Sequence, residues 1–487
     1  MKRLKRLPAA VFTVLIFAAV GSAETPTFNK HIAPILYQHC ATCHRPGEVA
    51  PFSLLTYPDA SKRASLIASV TERRYMPPWK AEPGYGHFAD ERRLTDAQIA
   101  LIKEWASGGA PEGNPADKPP VPAFADGWQG GKPDRILTMP SKFALAADGP
   151  DQFRCFLLPL SLDKDAYVSG LEFRPDNRRI VHHALVFVDT AGGARQRVGP
   201  KSNDGSNDQS YPCFGGPGVP GAALIGGWAP GAVPAPVAED YSRPVPQGSD
   251  IIVQIHYHPS GKPESDQSSL GLIFSGPPKK GRTAAIVIGG RLNIPPGDAH
   301  YVVKGQLVLP RDVEVASITP HAHYLAKDMK ITARLPDGGT VPMIWIKDWD
   351  FNWQGSYRYE KPVALPKDTR IELEYEYDNS ENNPRNPAHP PVRVKWGEQT
   401  TDEMALAFLG VLLPTPQEAR DFNRQIAFQN VEAFLYEGLS IDDLSSEIGG
   451  QQRARLMQAL RLFDRNQNGV LDADERAALL RVLRGNN

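Results

Sequence analysis

The chain has 487 residues, of which 41% are hydrophobic, and this size excludes a single small module and predicts several domains. Its 54 basic and 55 acidic residues nearly cancel and form no long run of one sign, which excludes a basic nucleic-acid-binding surface and a polybasic membrane-binding segment. The 42 Gly and 46 Pro predict many turns, below the level of a disordered chain.

Residues 1–23 have the pattern of a secretory signal peptide. A basic start precedes an apolar stretch from Leu7 to Val20, and small residues lead to Ala23. The apolar stretch is too short for a comfortable membrane span, and no later segment reaches about 18 uninterrupted apolar residues. We therefore expect export without a stable membrane span, to a bacterial periplasm or, alternatively, to the surface or the medium. An oxidising compartment permits disulfides.

Residues 24–113 are expected to form a small helical domain, with helices near Asp59–Arg74 and Thr95–Ala106. It contains the c-type haem attachment pattern, in which two thiols add to the haem vinyl groups and the next imidazole ligates the iron. The residues that fill these roles are Cys40, Cys43 and His44. With a signal peptide upstream and helices downstream, the spacing favours haem over a zinc site.

This domain resembles class I cytochromes c from Thr25 to Asn114. The resemblance implies a Met on the other face of the iron, and Met76 lies in the loop where that ligand is expected. Thioether ligation raises the potential and favours electron transfer. His87 is the alternative second ligand. A Pro-rich linker at 114–133 follows the domain.

Between residues 134 and 414 the sequence changes to short alternating runs separated by Gly, Pro and Asp turns, which is typical of β-sandwich or jelly-roll architecture. Because this region is long for one sandwich, we predict two, at 134–278 and 279–414. The clearest predicted strands are Ile180–Val188, Ile251–His258, Ala284–Gly289 and Arg370–Tyr377.

Three histidine clusters fall in the β region. His321-Ala322-His323 is an i, i+2 pair, which places both imidazoles on one face of a strand. His182-His183 is an adjacent pair, so joint ligation of one metal requires a strand start or a β-bulge. His256-Tyr257-His258 again offers two rings on one face. Imidazoles with a thioether and no thiolate suit copper better than structural zinc.

The histidine clusters belong to a set of four motifs, which are Val181-His182-His183-Ala184, Gln254-Ile255-His256-Tyr257, Pro320-His321-Ala322-His323, and Trp396-Gly397 with Thr401-Asp402-Glu403-Met404. Taken in this order, the motifs resemble those of the copper type II ascorbate-dependent monooxygenases, which include peptidylglycine α-hydroxylating and dopamine β-monooxygenases. The resemblance implies two jelly-roll-like domains whose coppers face each other across a solvent cleft.

The resemblance also implies the ligands of each copper. The first copper, an electron-transfer centre, takes His182, His183 and His256. The second, which meets dioxygen where the substrate C–H bond is hydroxylated, takes His321, His323 and Met404. His258 competes with His256, and Met329 competes with Met404. Finally, the resemblance implies a disulfide between Cys155 and Cys213, which flank the first histidine pair.

One departure from the family bears on the substrate. The peptide-processing relatives hold a substrate carboxylate with Arg, Asn and Tyr, whereas the matching positions here are Thr319, Leu406 and Phe408. A carboxylate would lose its charged partner and face apolar side chains, which is unfavourable. We expect a small apolar or aromatic substrate.

After a connecting segment at 415–449, residues 450–487 read as an EF-hand, with helices at Gln451–Phe463 and Ala473–Leu483. Gly469 stands at the sixth loop position, where the loop turns sharply. The expected calcium ligands are Asp464, Asn466, Asn468, the carbonyl of Val470, Asp472 and Glu475. Because no second loop lies beside this one, we expect a structural or assembly role.

The sequence therefore predicts a multidomain chain: an all-α cytochrome c domain, two β-sandwich copper domains and a short α-helical EF-hand tail. The expected function is a haem- and copper-dependent monooxygenase that uses dioxygen and an external electron donor, either ascorbate or a redox protein. The alternatives are a copper and haem protein that transfers electrons or binds copper without hydroxylation, and an enzyme that uses the same centres on peroxide.

Overall fold

The computed structural model describes residues 24–485 with gaps at 49, 125–126, 199–208, 231–233, 235–240, 279, 416, 420, 423, 427–428 and 430–459. The signal peptide and most of the connecting segment lie outside the described residues. The chain divides into two compact units. The helical unit comprises residues up to 77 together with 94–122, and the β unit comprises 78–93 together with 123 onward.

The described residues of the helical unit form four α-helices, a π-helical turn at Phe28–Ile32 and a 3-10 turn at Pro115–Asp117. They are α1 (Ala33–His39), α2 (Tyr57–Ser61), α3 (Ala64–Glu72) and α4 (Asp96–Ser107). Thr95 begins α4 with a capping box, since its hydroxyl accepts from the backbone N–H of Gln98 while the Gln98 side chain accepts from that of Thr95. The apolar faces of the helices meet in one core that includes Ile102 and Trp105.

Among the described residues of the β unit, 21 strands and two α-helices have defined bounds, and residues 417–419, 421–422, 424–426 and 460–463 are also helical. The strands are β1 (Arg135–Thr138), β2 (Phe143–Leu145), β3 (Gln152–Pro159), β4 (Ala166–Arg174), β5 (Val181–Asp189), β6 (Ser210–Pro212), β7 (Ala223–Trp228), β8 (Tyr241–Val245), β9 (Asp250–Tyr257), β10 (Glu264–Asp266), β11 (Ser269–Ser275), β12 (Gly281–Gly289), β13 (Asn293–Ile294), β14 (Tyr301–Val308), β15 (Val313–His321), β16 (Ala326–Arg334), β17 (Thr340–Ile346), β18 (Tyr357–Leu365), β19 (Arg370–Tyr377), β20 (Val394–Lys395) and β21 (Leu406–Leu413). The helices are α5 (Gly193–Arg197) and α6 (Ala473–Gly485).

The strands form two sandwiches, each closed over its own apolar core. The first packs the sheet β6-β3-β9-β5-β7 against β1-β11-β4-β8, and the second packs β14-β19-β16-β17 against β12-β21-β15-β18. A short parallel pairing of β8 with β12 joins one sheet of each sandwich into an eight-stranded sheet. The chain is thus mostly β-sheet, as its alternating patterns predict.

Strand alternation places the metal-ligand candidates on the outer faces of these sheets. In β9, Ile251, Val253 and Ile255 enter the core of the first sandwich, so His256 faces the other way. In β21, Ala407 and Leu409 enter the core of the second sandwich. Neighbouring positions on β21 therefore face outward.

The predicted disulfide is confirmed. Cys155 of β3 is bonded to Cys213, which directly follows β6, and the bridge closes a loop of 58 residues. On the chain-entropy model, a cross-link that closes a loop of this length lowers the entropy of the unfolded chain and so destabilises it by about 4 kcal/mol. The bridge lies in a small apolar cluster on the outer face of the first five-stranded sheet, beside Phe187, Tyr211 and Ile252.

Segment 78–93, which the sequence places inside the helical domain, packs with the second sandwich. Ala81 forms a backbone bridge with Ile346 of β17, and Phe88 forms one with Tyr359 of β18. Lys80 also pairs with Asp348 at 2.8 Å. Apolar contacts reinforce the attachment, with the ring centroid of Phe88 5.0 Å from that of Tyr359.

None of the described helices is both long and apolar enough to span a bilayer.

Candidate metal centre

The first histidine set lies where β5 pairs with β9. Val181 pairs with Tyr257 and His183 pairs with His256, so His182 is the extra residue of a β-bulge. The bulge releases His182 from strict alternation and lets its ring approach that of His183. The bulge that the adjacent pair requires is therefore present.

The three imidazoles of this set converge. Nδ1 of His182 lies 3.1 Å from Nδ1 of His183, which lies 3.4 Å from Nδ1 of His256. One ligand nitrogen from each ring lies within 4.8 Å of the other two. Because metal–imidazole bonds are about 2 Å long, three nitrogens at this spacing can bind a single ion after small adjustments.

His258, the alternative to His256, lies outside this cluster and bonds a carboxylate instead. Its Nδ1–H donates to Oδ1 of Asp151 at 2.6 Å, while Nε2–H of His256 donates to Oδ2 of Asp151 at 2.9 Å. The side chain of His258 is 54% exposed, against 1% for His256. The hydrogen bond to Asp151 raises the pKa of His258. These contacts favour His256 as the ligand.

Asp151 stays ionised in this position. Burial alone would raise the pKa of its carboxyl, but hydrogen bonds from His256, His258 and Thr400 lower it below the ordinary value. The carboxylate can only accept hydrogen bonds, which fixes the proton of His256 on Nε2 and leaves its Nδ1 lone pair for the cluster.

The second histidine set lies at the end of β15. The i, i+2 spacing predicts that both imidazoles lie on one face of a strand. Instead, the strand ends at His321 and His323 lies just beyond it, so strand alternation does not hold the pair. The two ring centroids are nevertheless 5.3 Å apart. Nδ1 of His321 bonds the side-chain oxygen of Gln354 at 2.7 Å, and Nδ1 of His323 bonds the carbonyl of Asp402 at 3.0 Å. Nε2 is therefore the nitrogen that remains on each ring for a metal.

Met404 follows a buried carboxylate that organises this set. Glu403 accepts backbone N–H bonds from Met404 at 2.8 Å, from Leu325 at 2.9 Å and from His323. The hydroxyl of Tyr377 donates to the carbonyl of Met404 at 2.6 Å. Burial raises the pKa of Glu403 to about 8 even though these donors favour its charged form. The loop backbone at Met404 and His323 thus shares one anchor.

Met329, the alternative thioether, lies in β16 and is fully buried in the core of the second sandwich. It pairs with Ile346 of β17 and with Tyr375 of β19. Its environment is that of a packing residue. Met404, 7% exposed, belongs to the segment that contacts His323.

The fold keeps four of these imidazoles neutral. Burial lowers the pKa of His182 and of His183 well below the ordinary value, and neighbouring imidazoles lower it further. For the same leading reason the pKa falls to about 4 for His321 and to about 3 for His323. Neutral rings offer their lone pairs at physiological pH, which metal binding requires.

The two histidine sets are neighbours. The ring centroids of His183 and His321 are 6.3 Å apart. Phe351 stacks on His182 with centroids 4.4 Å apart and lies 5.5 Å from the ring of His323. The family resemblance implies a solvent cleft between the two sets, whereas here aromatic rings lie in contact across that position.

The three substrate-related positions lie beside His321. Thr319 pairs with Phe408, and His321 pairs with Leu406, across β15 and β21. All four are half-buried. The centroid of Phe408 lies 6.5 Å from that of His321. The outer face of this sheet therefore offers apolar side chains next to the second histidine set.

The haem-binding pattern lies in the helical unit, directly after α1. The backbone N–H groups of Cys43 and His44 both donate to the carbonyl of Cys40, which forms a tight turn. Nδ1 of His44 bonds the carbonyl of Phe52 at 3.1 Å, and burial lowers the pKa of the ring. A neutral imidazole with Nδ1 engaged presents Nε2 as an iron ligand, so this residue fits the role.

The two candidates for the second iron ligand belong to different parts of the chain. Met76 is half-buried in the helical unit, and its backbone N–H donates to the carbonyl of Val70 at 3.2 Å. His87 is exposed and belongs to segment 78–93, where its carbonyl accepts from the backbone N–H of Glu360 at 3.0 Å. His87 is thus committed to β18 of the second sandwich.

The EF-hand loop is folded around its first and last acidic residues. Asp464 accepts from the backbone N–H groups of Asn468 at 3.2 Å and Gly469 at 3.0 Å, and Glu475 accepts from that of Asp472 at 2.9 Å. Gly469 has φ +79°, the left-handed conformation expected at the sixth position. Most of the predicted first helix lies outside the described residues, and α6 matches the second.

Sequence reasoning missed the residues that position the ligands. Asp151 and Gln354 lie in no motif, and Phe351 lies in an ordinary turn. Glu403 appears in a motif, but nothing in the motif predicts that its carboxylate accepts a hydrogen bond from the backbone N–H of His323. Only a signal that pairs residues across the fold would have found them, since Asp151 and Thr400 are 249 positions apart.

No protein-family model and no curated protein matches the chain. Among solved structures, it is similar to the major capsid protein P2 of bacteriophage PM2, with 10% identity over 51% of this chain and 99% of that chain and a TM-score of 0.19. It is also similar to PNGF-II, with 11% identity over 60% of this chain and 63% of that chain and a TM-score of 0.21. The PBSX exported protein XepA gives 8% identity over 57% and 86%, with a TM-score of 0.15. Similarities this weak carry no argument about function.

Proposed function

We propose that this chain is an exported, haem- and copper-dependent monooxygenase that hydroxylates a C–H bond of a small apolar or aromatic compound with dioxygen. The observation that carries the proposal is the meeting of two histidine sets in one place. Three imidazole nitrogens converge within 4.8 Å, and a neighbouring pair of rings has Nδ1 engaged by the protein and Nε2 left for a metal. The order of the motifs along the chain resembles that of copper type II monooxygenases.

Copper fits both sets of residues. His182, His183 and His256 form an all-imidazole set, and His321, His323 and Met404 add a thioether that favours the reduced ion. When bound, the two coppers and the haem supply electron transfer and the activation of dioxygen. The protein contributes imidazoles whose orientation is fixed by Asp151, Gln354 and the carbonyl of Asp402.

The substrate binds, on this proposal, against the outer face of β15 and β21. Leu406 and Phe408 offer apolar contacts there, and Thr319 is engaged with the hydroxyl of Ser356 at 2.8 Å. Since no cationic side chain occupies these three positions, a carboxylate-bearing substrate gains no charge partner. An apolar or aromatic group gains buried area instead.

Each hydroxylation consumes one dioxygen, two electrons and two protons. One oxygen atom is inserted into the C–H bond, and the other leaves as water. Cys40, Cys43 and His44 would hold a c-type haem, with Met76 as its second ligand, as the relay from ascorbate or a redox protein. Tethering the donor to the copper-binding unit raises its effective concentration. The EF-hand residues would hold calcium in a structural role.

Rapid mixing with dioxygen tests this proposal. The copper-loaded, fully reduced chain is mixed with dioxygen while haem absorbance and the Cu(II) signal are followed. We expect haem and copper to oxidise in the same turnover, and copper-dependent haem oxidation to be lost in His183→Ala but kept in His300→Ala, which changes an exposed histidine. If the rate of haem oxidation is the same with and without copper, the proposal is contradicted and a protein without hydroxylase activity is favoured.

A further inference from the structure

Asp151 contacts both the first histidine set and the loop that supports the second. Its Oδ2 accepts from Nε2–H of His256 at 2.9 Å and from the backbone N–H of Thr400 at 3.0 Å, and also from the Thr400 hydroxyl. Its Oδ1 accepts from His258 at 2.6 Å. One carboxylate oxygen therefore serves a residue of the first sandwich and a loop of the second.

This junction is shielded from solvent. The side chain of Asp151 is 5% exposed, that of His256 is 1% exposed, and Thr400 is 8% exposed. Hydrogen bonds to a charged group are stronger than neutral ones, and water competes poorly for them in a buried position. A change in the position of either partner is therefore transmitted to the other.

Thr400 belongs to the short segment that supports the second set. The backbone N–H of Gln399 donates to the carboxylate of Asp402 at 3.2 Å, and the backbone N–H of Asp402 donates to the carbonyl of Gln399 at 2.9 Å. The carbonyl of Asp402 accepts from Nδ1 of His323 at 3.0 Å. Hydrogen bonds, together with the peptide bond between Gln399 and Thr400, thus connect His256 through Asp151 and Asp402 to His323.

We propose that Asp151 is a positioning residue that couples the two sets, so that copper at one set changes the copper affinity of the other. The inference rests on the proposed two-copper function and adds a regulatory property to it. Asp151 holds Nδ1 of His256 toward the first set, while Thr400 holds the segment that orients His323 and Met404. Binding that fixes His256 also fixes Thr400, which removes part of the ordering cost at the second set.

The matched pair Thr400→Val and Thr400→Ser tests the coupling, because valine keeps the shape and removes the hydroxyl whereas serine keeps the hydroxyl. Neither change touches an imidazole. The metal-free full chain is titrated with Cu(II) against a competing chelator, and the first set is followed by its electron paramagnetic resonance signal. Each variant is measured with and without His323→Ala, which weakens the second set.

In the wild-type chain and in Thr400→Ser, we expect His323→Ala to weaken copper binding at the first set by a factor in the range of about 5 to 150. In Thr400→Val, which keeps only the backbone N–H contact with Asp151, this factor falls clearly below its value in Thr400→Ser. Asp151→Asn additionally weakens the first set itself, by roughly 10- to 100-fold, with an altered copper signal. The intact Cys155–Cys213 bridge and an unchanged melting profile serve as folding controls.

The coupling is overturned if His323→Ala leaves the first set unchanged in the wild-type chain, or if Thr400→Val responds to it as fully as Thr400→Ser. Either result leaves the monooxygenase proposal standing, because two independent coppers satisfy it. Failure of the wild-type chain to take up copper contradicts both proposals. Coupled copper uptake without any oxygenated product contradicts only the monooxygenase.

Discussion

At the residue scale, the proposed site depends on buried imidazoles that are each held in one orientation. His321 is fixed by Gln354, His323 by the carbonyl of Asp402, and His256 by Asp151. In each of these three rings one nitrogen is used by the protein, so the other is left for a metal. On the proposed function, this division of roles distinguishes metal ligands from an ordinary cluster of polar side chains.

The choice of thioether ligand is tested by a matched pair of substitutions. Met404→Leu conserves volume but removes the sulfur, and we expect Cu(I) affinity at the second set to fall by more than the roughly 10- to 100-fold that loss of an outer hydrogen-bond partner costs. Met329→Leu should leave Cu(I) binding unchanged, because Met329 packs in the core. Competition with a Cu(I) chelator measures both. Equal losses in the two variants would show that Met404 has no special role.

The depressed imidazole pKa values predict a pH dependence of the copper-free protein. His321 and His323 have pKa values of about 4 and about 3 in the folded state, against about 6.5 in the unfolded chain. Below pH 6.5 the unfolded chain binds protons that the folded chain does not, so stability falls as pH falls, by at most about 1.4 kcal/mol per pH unit for each group.

Chemical denaturation of the β unit between pH 7 and pH 5 checks this expectation in the full chain. His323→Asn lacks one of the titrating groups, so its denaturation midpoint should fall less steeply than that of the wild-type chain over the same interval. A wild-type midpoint that rises as pH falls, or parallel slopes in the two proteins, would contradict the depressed pKa values.

At the element scale, several features follow from local sequence. The runs around β5, β9, β12 and β19 are predicted within a few residues, and the adjacent pair His182-His183 demands the bulge that β5 contains. The capping residues of α4 and the glycine of the EF-hand loop are likewise local signals. Local patterns succeed here because each depends on residues close together in the chain.

Contacts between distant segments escape this reasoning. The sequence pattern places segment 78–93 in the helical domain, yet its β-bridges are to Ile346 and Tyr359. No local pattern in the segment predicts those partners. The same holds for Asp151 and Thr400. The end of β15 at His321 is another example, because the hydrogen bonds of Glu403 draw the next residues out of the strand.

The EF-hand tail allows an independent test at this scale. Glu475→Gln removes the last charged ligand of the loop, and we expect calcium binding to be abolished or strongly weakened. Asp474→Asn removes the same charge one position earlier, outside the ligand set, and should bind as the wild-type chain does. Isothermal titration with calcium distinguishes them. Equal binding by all three proteins would rule out the assigned loop register.

At the scale of the whole molecule, the β unit places two sandwiches so that the outer face of a sheet from each carries one histidine set. The short pairing of β8 with β12 joins the sandwiches along one edge. The contacts of Asp151 with Thr400, and of Phe351 with His182, connect them at the histidine sets themselves. On the proposed function, electrons would pass here between coppers held by different sandwiches.

The proposed reaction inserts oxygen from dioxygen into a C–H bond. To test it, the copper-loaded full chain is supplied with ascorbate, a panel of alkylbenzenes and ¹⁸O-labelled dioxygen, and the products are analysed by mass spectrometry. We expect an alcohol that carries one labelled oxygen, formed by the wild-type chain and absent with Met404→Leu. Consumption of dioxygen with the label found only in water or peroxide would contradict it.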